Sequence, residues 1–357
     1  MSLLNRRQFI GGSLAAGLAS IGVPLAGDTA PAPLGTKPRV TGIRRVIVDT
    51  DPGNDDALAI LLALDAPSLQ VEAITVCPGN LGPRYEQQVK NALYVLEVSG
   101  RGGQVAVHAG ISRPLMNQPY PVATFIHGKS GLGGIETPEV KQTVDSEHAV
   151  DAIIRIAKAS PGEITILALG GLSNIAVALL REPSLARDLK GIVFVGGSYH
   201  GGGSAPGYNI LVDPEAAHIV FSSGAPLLLV TADTIREDSI MKKEDFDHVA
   251  AFNTARGAFF IASNTLRRTF EMSARHTTGS TNPDGLAVAI AAYPEIATTY
   301  QPLYAEIELQ GRHTRGLLCY DMNRYTLDPT PPANVDMCIA SSNARFKEIV
   351  FRALARG

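Results

Sequence analysis

The amino-acid sequence predicts an α/β protein with a single domain, in which helices flank a mostly parallel central sheet. Short apolar runs alternate with segments whose apolar residues recur at helical spacing, which is typical of a parallel sheet. Polar and glycine-rich groups follow several of these runs, as expected where the strands of an open parallel sheet end. The chain has 357 residues, of which 45% are hydrophobic and 18% charged, so it can bury a large core.

Each predicted element follows from its own pattern. Six apolar runs predict strands over 44–49, 71–76, 104–110, 163–169, 191–197 and 226–233. Intervening amphipathic segments predict helices over 85–100, 147–160 and 174–182. Beyond residue 300 we expect short strands within 302–311, 314–321 and 333–340, then a closing helix over 343–355. No repeat or second linker interrupts this pattern, so one domain over 43–357 is expected.

The first 32 residues differ in composition from the rest of the chain. Arg6 and Arg7 precede a weakly apolar stretch rich in Gly and Ala, and small residues follow at 30–32. This layout is typical of a twin-arginine export signal, and a disordered or anchoring N-terminus is the alternative. We expect a signal peptide over 1–32, a Pro-rich linker over 33–42, and a periplasmic or secreted protein that uses the twin-arginine export machinery.

Charge and cysteine content argue against some partners and cofactors. The formal net charge is −3 and no basic block occurs, so nucleic acid is not an expected partner. Cys77, Cys319 and Cys338 lack metal-ligand spacing and leave an odd thiol. We interpret them as small buried apolar residues.

The stretch VIVDTDPGNDDALAI, residues 46–60, carries four carboxylates within eight residues after the first predicted strand. Helix capping and a solvated turn would use only one or two of them. A hard divalent cation would remove the repulsion among Asp49, Asp51, Asp55 and Asp56, and an all-oxygen set favours Ca²⁺ or Mg²⁺ over zinc. A carboxylate left beside such a cation can accept a proton from a water that the cation acidifies. The stretch therefore predicts hydrolysis.

Further motifs follow along the chain, namely ITVCPGN, IHGKSGLGG, LALGGLSNIAVAL, VFVGGSYH and YNILVDPEAAHIVF, and then an apolar helix that begins at Asp284. Together with DTDPGNDDALAILLAL they resemble the signatures of the inosine–uridine-preferring nucleoside hydrolases, over about residues 43 to 355. The resemblance implies a Rossmann-like nucleoside hydrolase fold. It also implies calcium-dependent cleavage of the N-glycosidic bond of a ribonucleoside or related N-riboside, by a homodimer or homotetramer.

The resemblance implies a calcium site and a general base. The calcium ligands would be Asp51, Asp56, Asp284 and the main-chain carbonyl of Leu169. Asp55 would be the catalytic residue that deprotonates the attacking water.

The resemblance also implies contacts with the substrate. Asn80 and Asn209 match asparagines that hold the ribose. Asp49 is expected to assist them, mainly by orienting its neighbours. His127 matches a family histidine near the base and the sugar, and is expected to be a second catalytic residue.

Several positions depart from the family pattern. Gly207 stands where the family usually has a glutamate that holds the 5′ end of the sugar, and Val195 replaces a methionine. Pro283 stands where pyrimidine-accepting members carry a histidine that can protonate the leaving base. The purine-specific branch stacks the base between tryptophans, and this chain has no tryptophan. Arg275 or His276, on a long loop, could serve the leaving base and contact the substrate, unless both are merely exposed.

Two other functions stay open at this point. A binding protein that holds a ribosyl ligand on Ca²⁺ with little turnover would account for Gly207 and Pro283, but it would not need Asp55 as a base. A phosphohydrolase that uses DTD around Mg²⁺ would leave PGNDD without a purpose. We therefore expect an enzyme whose partner is a small-molecule nucleoside or N-riboside.

Overall fold

The computed structural model describes residues 37–116, 119–199, 206–235, 237–320 and 331–356. The predicted signal peptide over 1–32 and the first part of the linker lie outside these residues. Within the described ranges, no helix combines the length and the apolar character needed to cross a membrane. The packed chain begins inside the predicted linker, because Arg39 donates from its backbone N and its Nε to the Asp336 carboxylate at 2.7 and 3.1 Å, and Val40 is buried.

Ten strands form two sheets in the described part of the chain. The strands are β1 (Arg45–Thr50), β2 (Gln70–Val76), β3 (Ala106–Ala109), β4 (Ile164–Ala168), β5 (Gly191–Val195), β6 (Leu227–Val230), β7 (Ala297–Leu303), β8 (Ala305–Ile307), β9 (Leu318–Tyr320) and β10 (Val335–Ser341). The main sheet has the order β3-β2-β1-β4-β5-β6-β10-β7. Only the β10–β7 pair in it is antiparallel, which confirms the prediction of a mostly parallel sheet.

Helices cover both faces of the main sheet. They are α1 (Asn54–Asp65), α2 (Tyr85–Val98), α3 (Thr124–His127), α4 (Ala149–Ala159), α5 (Ser173–Arg181), α6 (Leu185–Asp188), α7 (Tyr208–Val212), α8 (Pro214–Ser222), α9 (Lys243–Ala251), α10 (Ala255–Ala274), α11 (Pro283–Ala292) and α12 (Ala344–Leu354). Alternate residues of β1 point to opposite faces. Val46 and Val48 therefore pack into a core with α1, α2 and α9 to α12, while Ile47 packs into a second core with α4, α5 and α8.

The region after residue 293 departs from the prediction. The sequence ATTYQPL of β7 has few apolar residues and contains Pro302, so its pattern does not predict a strand. The structure places β7 at the edge of the sheet, where proline is tolerated because one side needs no ladder hydrogen bond. The strand predicted within 302–311 is divided. Its first two residues belong to β7, and residues further on form β8, which pairs with β9 in a separate antiparallel sheet.

The strand order reverses between β1 and β4, which lie side by side near the middle of the sheet. Chain segments that leave the carboxyl ends of these two strands turn to opposite sides. Such a topological switch point leaves a crevice in which open α/β sheets bind ligands.

Candidate active site

A cavity of about 270 Å³ lies at the carboxyl ends of the parallel strands. Residues that end or follow five neighbouring strands line it: Asp51 after β1, Asn80 after β2, Leu169 after β4, Val195 in β5 and Thr231 after β6. The cavity therefore lies at the switch point of the sheet.

Three carboxylates meet beside this cavity at the N-termini of two helices. Asp55 and Asp56 lie in the first turn of α1, and Asp284 lies in the first turn of α11. One oxygen from each lies within 4.8 Å of the others, and all three side chains are buried. Helix N-termini favour negative charge, but three buried carboxylates at this separation repel one another strongly.

Asp51 faces the same group from the end of β1. Its Oδ2 accepts a hydrogen bond from the Asn80 backbone N at 2.7 Å. Its carboxylate lies between two glycine backbones, since a Cβ added at Gly79 would lie 1.7 Å from Asp51 Oδ2, and one at Gly170 would lie 2.5 Å from Oδ1. Glycine is needed at both positions for Asp51 to stay in place.

Asp56 is held by four hydrogen-bond donors. Its Oδ1 accepts from Thr50 Oγ1 at 2.6 Å and from the Asp51 backbone N at 3.3 Å. Its Oδ2 accepts from the Gly53 backbone N at 2.8 Å and from Asn80 Nδ2 at 3.1 Å. The turn at residues 52–54, between β1 and α1, and the loop after β2 thus fix this carboxylate.

Burial and mutual repulsion raise the pKa values of the cluster. Burial, and then the charge of Asp55, raises the pKa of Asp56 to about 6. Burial, and then the neighbouring carboxylates, raises the pKa of Asp51 and of Asp284 well above the ordinary range. A divalent cation would allow these groups to ionise together. The all-oxygen set of carboxylates fits such a cation, and Leu169, whose carbonyl is the other expected ligand, lines the cavity.

Asp55 differs from the other carboxylates because a cation pairs with it. Its Oδ2 lies 2.8 Å from Arg267 Nη1, and its Oδ1 has no hydrogen-bond partner among the described residues. Burial, the largest single effect, raises the pKa of Asp55, but the charges of Arg267 and His127 and the hydrogen bonds to the carboxylate together outweigh it, so the pKa lies below its ordinary value. Asp55 therefore lines the cavity with an ionised carboxylate, whose Oδ1 is buried and unpaired among the described residues.

His127 lies on the other side of Asp55. Its Nδ1 lies 2.9 Å from Asn54 Oδ1 and 3.7 Å from Asp55 Oδ1. Asn54 Nδ2 already donates to the carbonyls of Ile126 and Ser263, so Asn54 Oδ1 is an acceptor and Nδ1 carries the proton. The longer 3.3 Å contact from the Asn54 backbone N to Nδ1 does not fit this tautomer. Burial lowers the pKa of His127 to about 4, so the neutral ring can accept a hydrogen bond at Nε2 but not donate one.

Asn80 and Asn209, the two expected ribose contacts, both line the cavity. Asn209 Nδ2 donates to the carbonyl of Leu169 at 2.6 Å and to that of Val195 at 3.1 Å. Asn209 therefore joins α7 to the ends of β4 and β5, beside the carbonyl expected to bind calcium.

Asp49 lies below the cavity and does not line it. It is fully buried, and its Oδ1 accepts from Thr75 Oγ1 at 2.6 Å and from Asn174 Nδ2 at 2.9 Å. Burial raises the pKa of Asp49 to about 7. The Asp49 side chain thus binds Thr75 and Asn174, and its position gives no support to a direct contact with the substrate.

The two candidates near the leaving base are separated in the structure. Arg275 lines the cavity beside Pro283, and its guanidinium lies 5.7 Å from the centre of the Phe270 ring. His276 follows α10 in a left-handed conformation with a φ of 54°, is exposed, and does not line the cavity. The structure therefore supports Arg275, and not His276, as a residue that reaches the substrate.

Arg267 and Glu271 belong to the site although no motif indicates them. Both lie on α10, where charged side chains are ordinarily solvated. Together with Phe260 and Asn264 they recur at intervals of three or four residues along α10. This helical spacing is the signal in the sequence that the two charged residues share the buried face of the helix.

Fold and site together define a hydrolase with an α/β fold, which combines a buried carboxylate cluster with one buried carboxylate oxygen that is unpaired among the described residues. The chain belongs to the inosine-uridine preferring nucleoside hydrolase family, whose sequence model matches residues 46–348. It is a hydrolase that acts on N-glycosyl compounds, with the predicted nucleoside hydrolase fold.

Three similar proteins show the range of this family. An inosine-uridine preferring nucleoside hydrolase of Crithidia fasciculata is 33% identical, over 88% of this chain and 98% of its own. The pyrimidine-specific ribonucleoside hydrolase RihA of Citrobacter koseri is 33% identical, over 87% and 97%. A solved purine-preferring ribonucleoside hydrolase from Gardnerella vaginalis has a TM-score of 0.79 and 29% identity, over 87% of this chain and 98% of that one. Because their names state different base preferences, similarity to them does not set the preference of this chain.

Proposed function

We propose that the protein hydrolyses the N-glycosidic bond of a ribonucleoside, or a related N-riboside, in a calcium-dependent reaction that releases the base and ribose. The observation that carries this proposal is the unpaired Oδ1 of Asp55, next to a group of carboxylates that fits a divalent cation. A general base beside a cation site is the arrangement that hydrolysis by water requires.

In the proposed reaction, the water oxygen forms a bond to C1′ of the ribose while one water proton passes to Asp55 Oδ1. The electron pair of the broken C1′–N bond leaves with the base, which takes up a proton from solvent, and Asp55 then releases its proton to solvent. Positive charge develops on the sugar in the transition state, and the buried carboxylates stabilise that charge. Asn80 and Asn209 hold the sugar hydroxyls, and neutral His127 accepts a hydrogen bond from the substrate.

Asp51, Asp56, Asp284 and the carbonyl of Leu169 would hold the cation, which would supply positive charge that acidifies the attacking water. Calcium takes about six to eight oxygen ligands in flexible geometry, whereas magnesium demands a near-octahedral site. Carboxylates mixed with a main-chain carbonyl, open on one side to sugar hydroxyls, suit calcium better.

The test is ribose release by the protein from residue 33 onward, across a panel of purine and pyrimidine nucleosides, with Ca²⁺, with Mg²⁺ and with a chelator. We expect turnover with Ca²⁺ that the chelator removes, and a loss of about 100-fold or more in Asp55→Asn. Calcium-dependent nucleoside binding without ribose release would instead establish the binding protein. Equal turnover in the chelator would contradict the role of calcium.

We also propose that the protein is exported by the twin-arginine route to the periplasm or beyond, and that it assembles as a homodimer or homotetramer. Arg6, Arg7 and the weakly apolar stretch after them support export. The assembly rests on the family resemblance, and light scattering of the purified protein tests it.

A further inference from the structure

Tyr120 lies outside the cavity but contacts the loop that holds Asp51. Its hydroxyl donates to the carbonyl of Gly79 at 3.0 Å, and its side chain is half-buried and does not line the cavity. Three residues later the same segment reaches the cavity wall, where Ala123 donates from its backbone N to the carbonyl of Asn80 at 3.0 Å. The segment therefore binds two consecutive carbonyls of the loop after β2.

The first of these carbonyls belongs to the peptide group whose N–H holds Asp51. Gly79 supplies the C=O of this group and Asn80 supplies the N–H, which donates to Asp51 Oδ2 at 2.7 Å. The peptide bond is trans, so its C=O and its N–H point in opposite directions in one plane. A partner that fixes the direction of the Gly79 carbonyl therefore also fixes the direction in which the N–H meets the carboxylate.

The turn that contains this peptide group has little intrinsic rigidity. Gly79 can adopt a wide range of backbone angles, and its lack of a Cβ is what leaves room for Asp51. The backbone N of Gly82 also donates to the Gly79 carbonyl at 2.9 Å, but this bond lies within one four-residue turn, and many such turns lack it. Tyr120 comes from another part of the chain, so its hydrogen bond fixes the turn relative to the cavity wall.

We propose that Tyr120 is a positioning residue for Asp51, which acts through the Gly79–Asn80 peptide group to hold Oδ2 where a cation can bind the carboxylate. This inference rests on the proposed function, in which Asp51, which lines the cavity, is a calcium ligand. The restraint matters because the charges of Asp56 and Asp55 repel that of Asp51 when all three are ionised. Donation to the carbonyl also strengthens the N–H as a donor, since hydrogen bonds in a chain polarise one another.

The experiment compares Tyr120→Phe with Tyr85→Phe in the protein used for the turnover test. Tyr85 is the matched control because its hydroxyl also donates to a peptide carbonyl, that of Val76 at 2.9 Å, and because it does not line the cavity. The N–H of that peptide group belongs to Cys77, and it donates to the carbonyl of Thr50 at 2.9 Å and not to a carboxylate.

Binding and stability are measured separately, so that positioning can be distinguished from a general loss of stability. Calorimetry gives the affinity for Ca²⁺ alone, and Tm is recorded for each variant. Terbium, a lanthanide ion that takes oxygen ligands, is then bound in place of calcium, and its luminescence lifetimes in H₂O and D₂O give the number of coordinated waters. Wild type is also assayed for ribose release from nucleosides and from 4-nitrophenyl riboside, whose leaving group needs no protonation.

We expect Tyr120→Phe to lower calcium affinity about fivefold, the effect of losing one ordinary hydrogen bond. The number of waters on bound terbium should rise, because water replaces a displaced carboxylate oxygen. Tyr85→Phe should lower Tm at least as much, because its hydroxyl also accepts from the Gly110 backbone N, while calcium affinity and terbium hydration stay like those of wild type. Both variants should fold, since each keeps the aromatic ring.

Three results would overturn the inference. They are a calcium affinity in Tyr120→Phe within about twofold of wild type, an equal loss of affinity in Tyr85→Phe, and weaker binding with unchanged terbium hydration, which would mean that Asp51 still binds the ion. Absence of calcium binding by wild type would overturn the proposed calcium site, and the role of Tyr120 with it. Calcium binding by wild type without ribose release from any substrate would overturn only the proposed hydrolysis.

Discussion

At the scale of single residues, Asp51 keeps its position because Gly79 and Gly170 leave room for its carboxylate. Gly79→Ala should therefore weaken calcium binding without unfolding the domain. The added Cβ would lie 1.7 Å from Asp51 Oδ2, and Asp51 cannot move away without losing its hydrogen bond from the Asn80 backbone N. Calorimetric titration should show calcium affinity reduced by about tenfold or more, equivalent to about 1.4 kcal/mol.

Gly102→Ala is the matched control for this variant. Its added Cβ would lie 2.5 Å from Glu97 Oε2, so it also meets a carboxylate, but Glu97 is exposed and can rotate away. Calcium affinity and Tm should stay at wild-type values. Equal losses of calcium affinity in both variants would show that displacement of Asp51 is not what weakens calcium binding.

His127 should contribute to substrate binding and not to protonation of the leaving base. Burial lowers its pKa to about 4, and Nδ1–H donates to Asn54 Oδ1 at 2.9 Å, so the ring has no proton to give at neutral pH. His127→Ala should raise KM on a nucleoside while kcat falls less than about tenfold. A large fall in kcat on nucleosides, absent on 4-nitrophenyl riboside, would instead make His127 the acid.

At the scale of elements, α1 and α11 deliver the carboxylates by packing along one another with their N-termini at the cavity. The close approach occurs at Gly285, where an added Cβ would lie 3.3 Å from Leu58 Cδ2 and 3.5 Å from Leu62 Cδ1. Because packed interiors tolerate little extra volume, the separation of these helices depends on a glycine next to Asp284.

Gly285→Val should push α11 away from α1 and separate Asp284 from Asp55 and Asp56. We expect a lower Tm and a calcium affinity reduced about tenfold. Gly285→Ala is the graded control, since two leucine methyl groups can yield by a few tenths of an ångström, and its calcium affinity should stay near that of wild type. The interpretation fails if alanine and valine have the same effect on calcium binding.

At the scale of the whole molecule, strands and their polar ends were predictable, whereas contacts between distant helices were not. Four carboxylates in 46–60 indicate a cation site because a cation would relieve their mutual repulsion. Asp284 lies far along the chain, and only the family resemblance connects it to them. Arg267 was missed because the burial of a charged residue depends on partners from α1 and from the segment before α11, which the pattern of one helix does not contain. Edge strand β7 was missed because its exposed side needs no apolar residues.

Export is a property of the whole chain. Replacing Arg6 and Arg7 with lysine keeps the positive charge but removes the paired arginines that define the twin-arginine signal. The full-length variant should accumulate inside the cell, while the unmodified chain should reach the periplasmic or secreted fraction. Fractionation followed by immunoblotting measures this, and unchanged export of the variant would contradict the proposed route.

In the proposed site, calcium and protons would compete for the same carboxylates, so the stability of the whole domain should depend on both. Without a cation, the folded-state pKa values of Asp51, Asp56 and Asp284 lie above the ordinary 3.8. Stability from such groups is fully present below the unfolded pKa and is lost as pH rises through the folded pKa, which is about 6 for Asp56. The lowered pKa values of Asp55 and His127 act in the opposite direction, but Asp49, whose pKa is about 7, adds to the other three, so two groups oppose four.

The metal-free protein should consequently be less stable at pH 8 than at pH 5. If calcium binds the folded state as proposed, with these carboxylates ionised, it should reverse that loss and raise Tm more at pH 8 than at pH 5. At a concentration one hundred times its Kd, a ligand that binds only the folded state adds about 2.7 kcal/mol. Scanning calorimetry with chelator and with Ca²⁺ at both pH values measures the difference. Equal calcium-induced shifts at both pH values would show that repulsion among the carboxylates is not what the cation relieves.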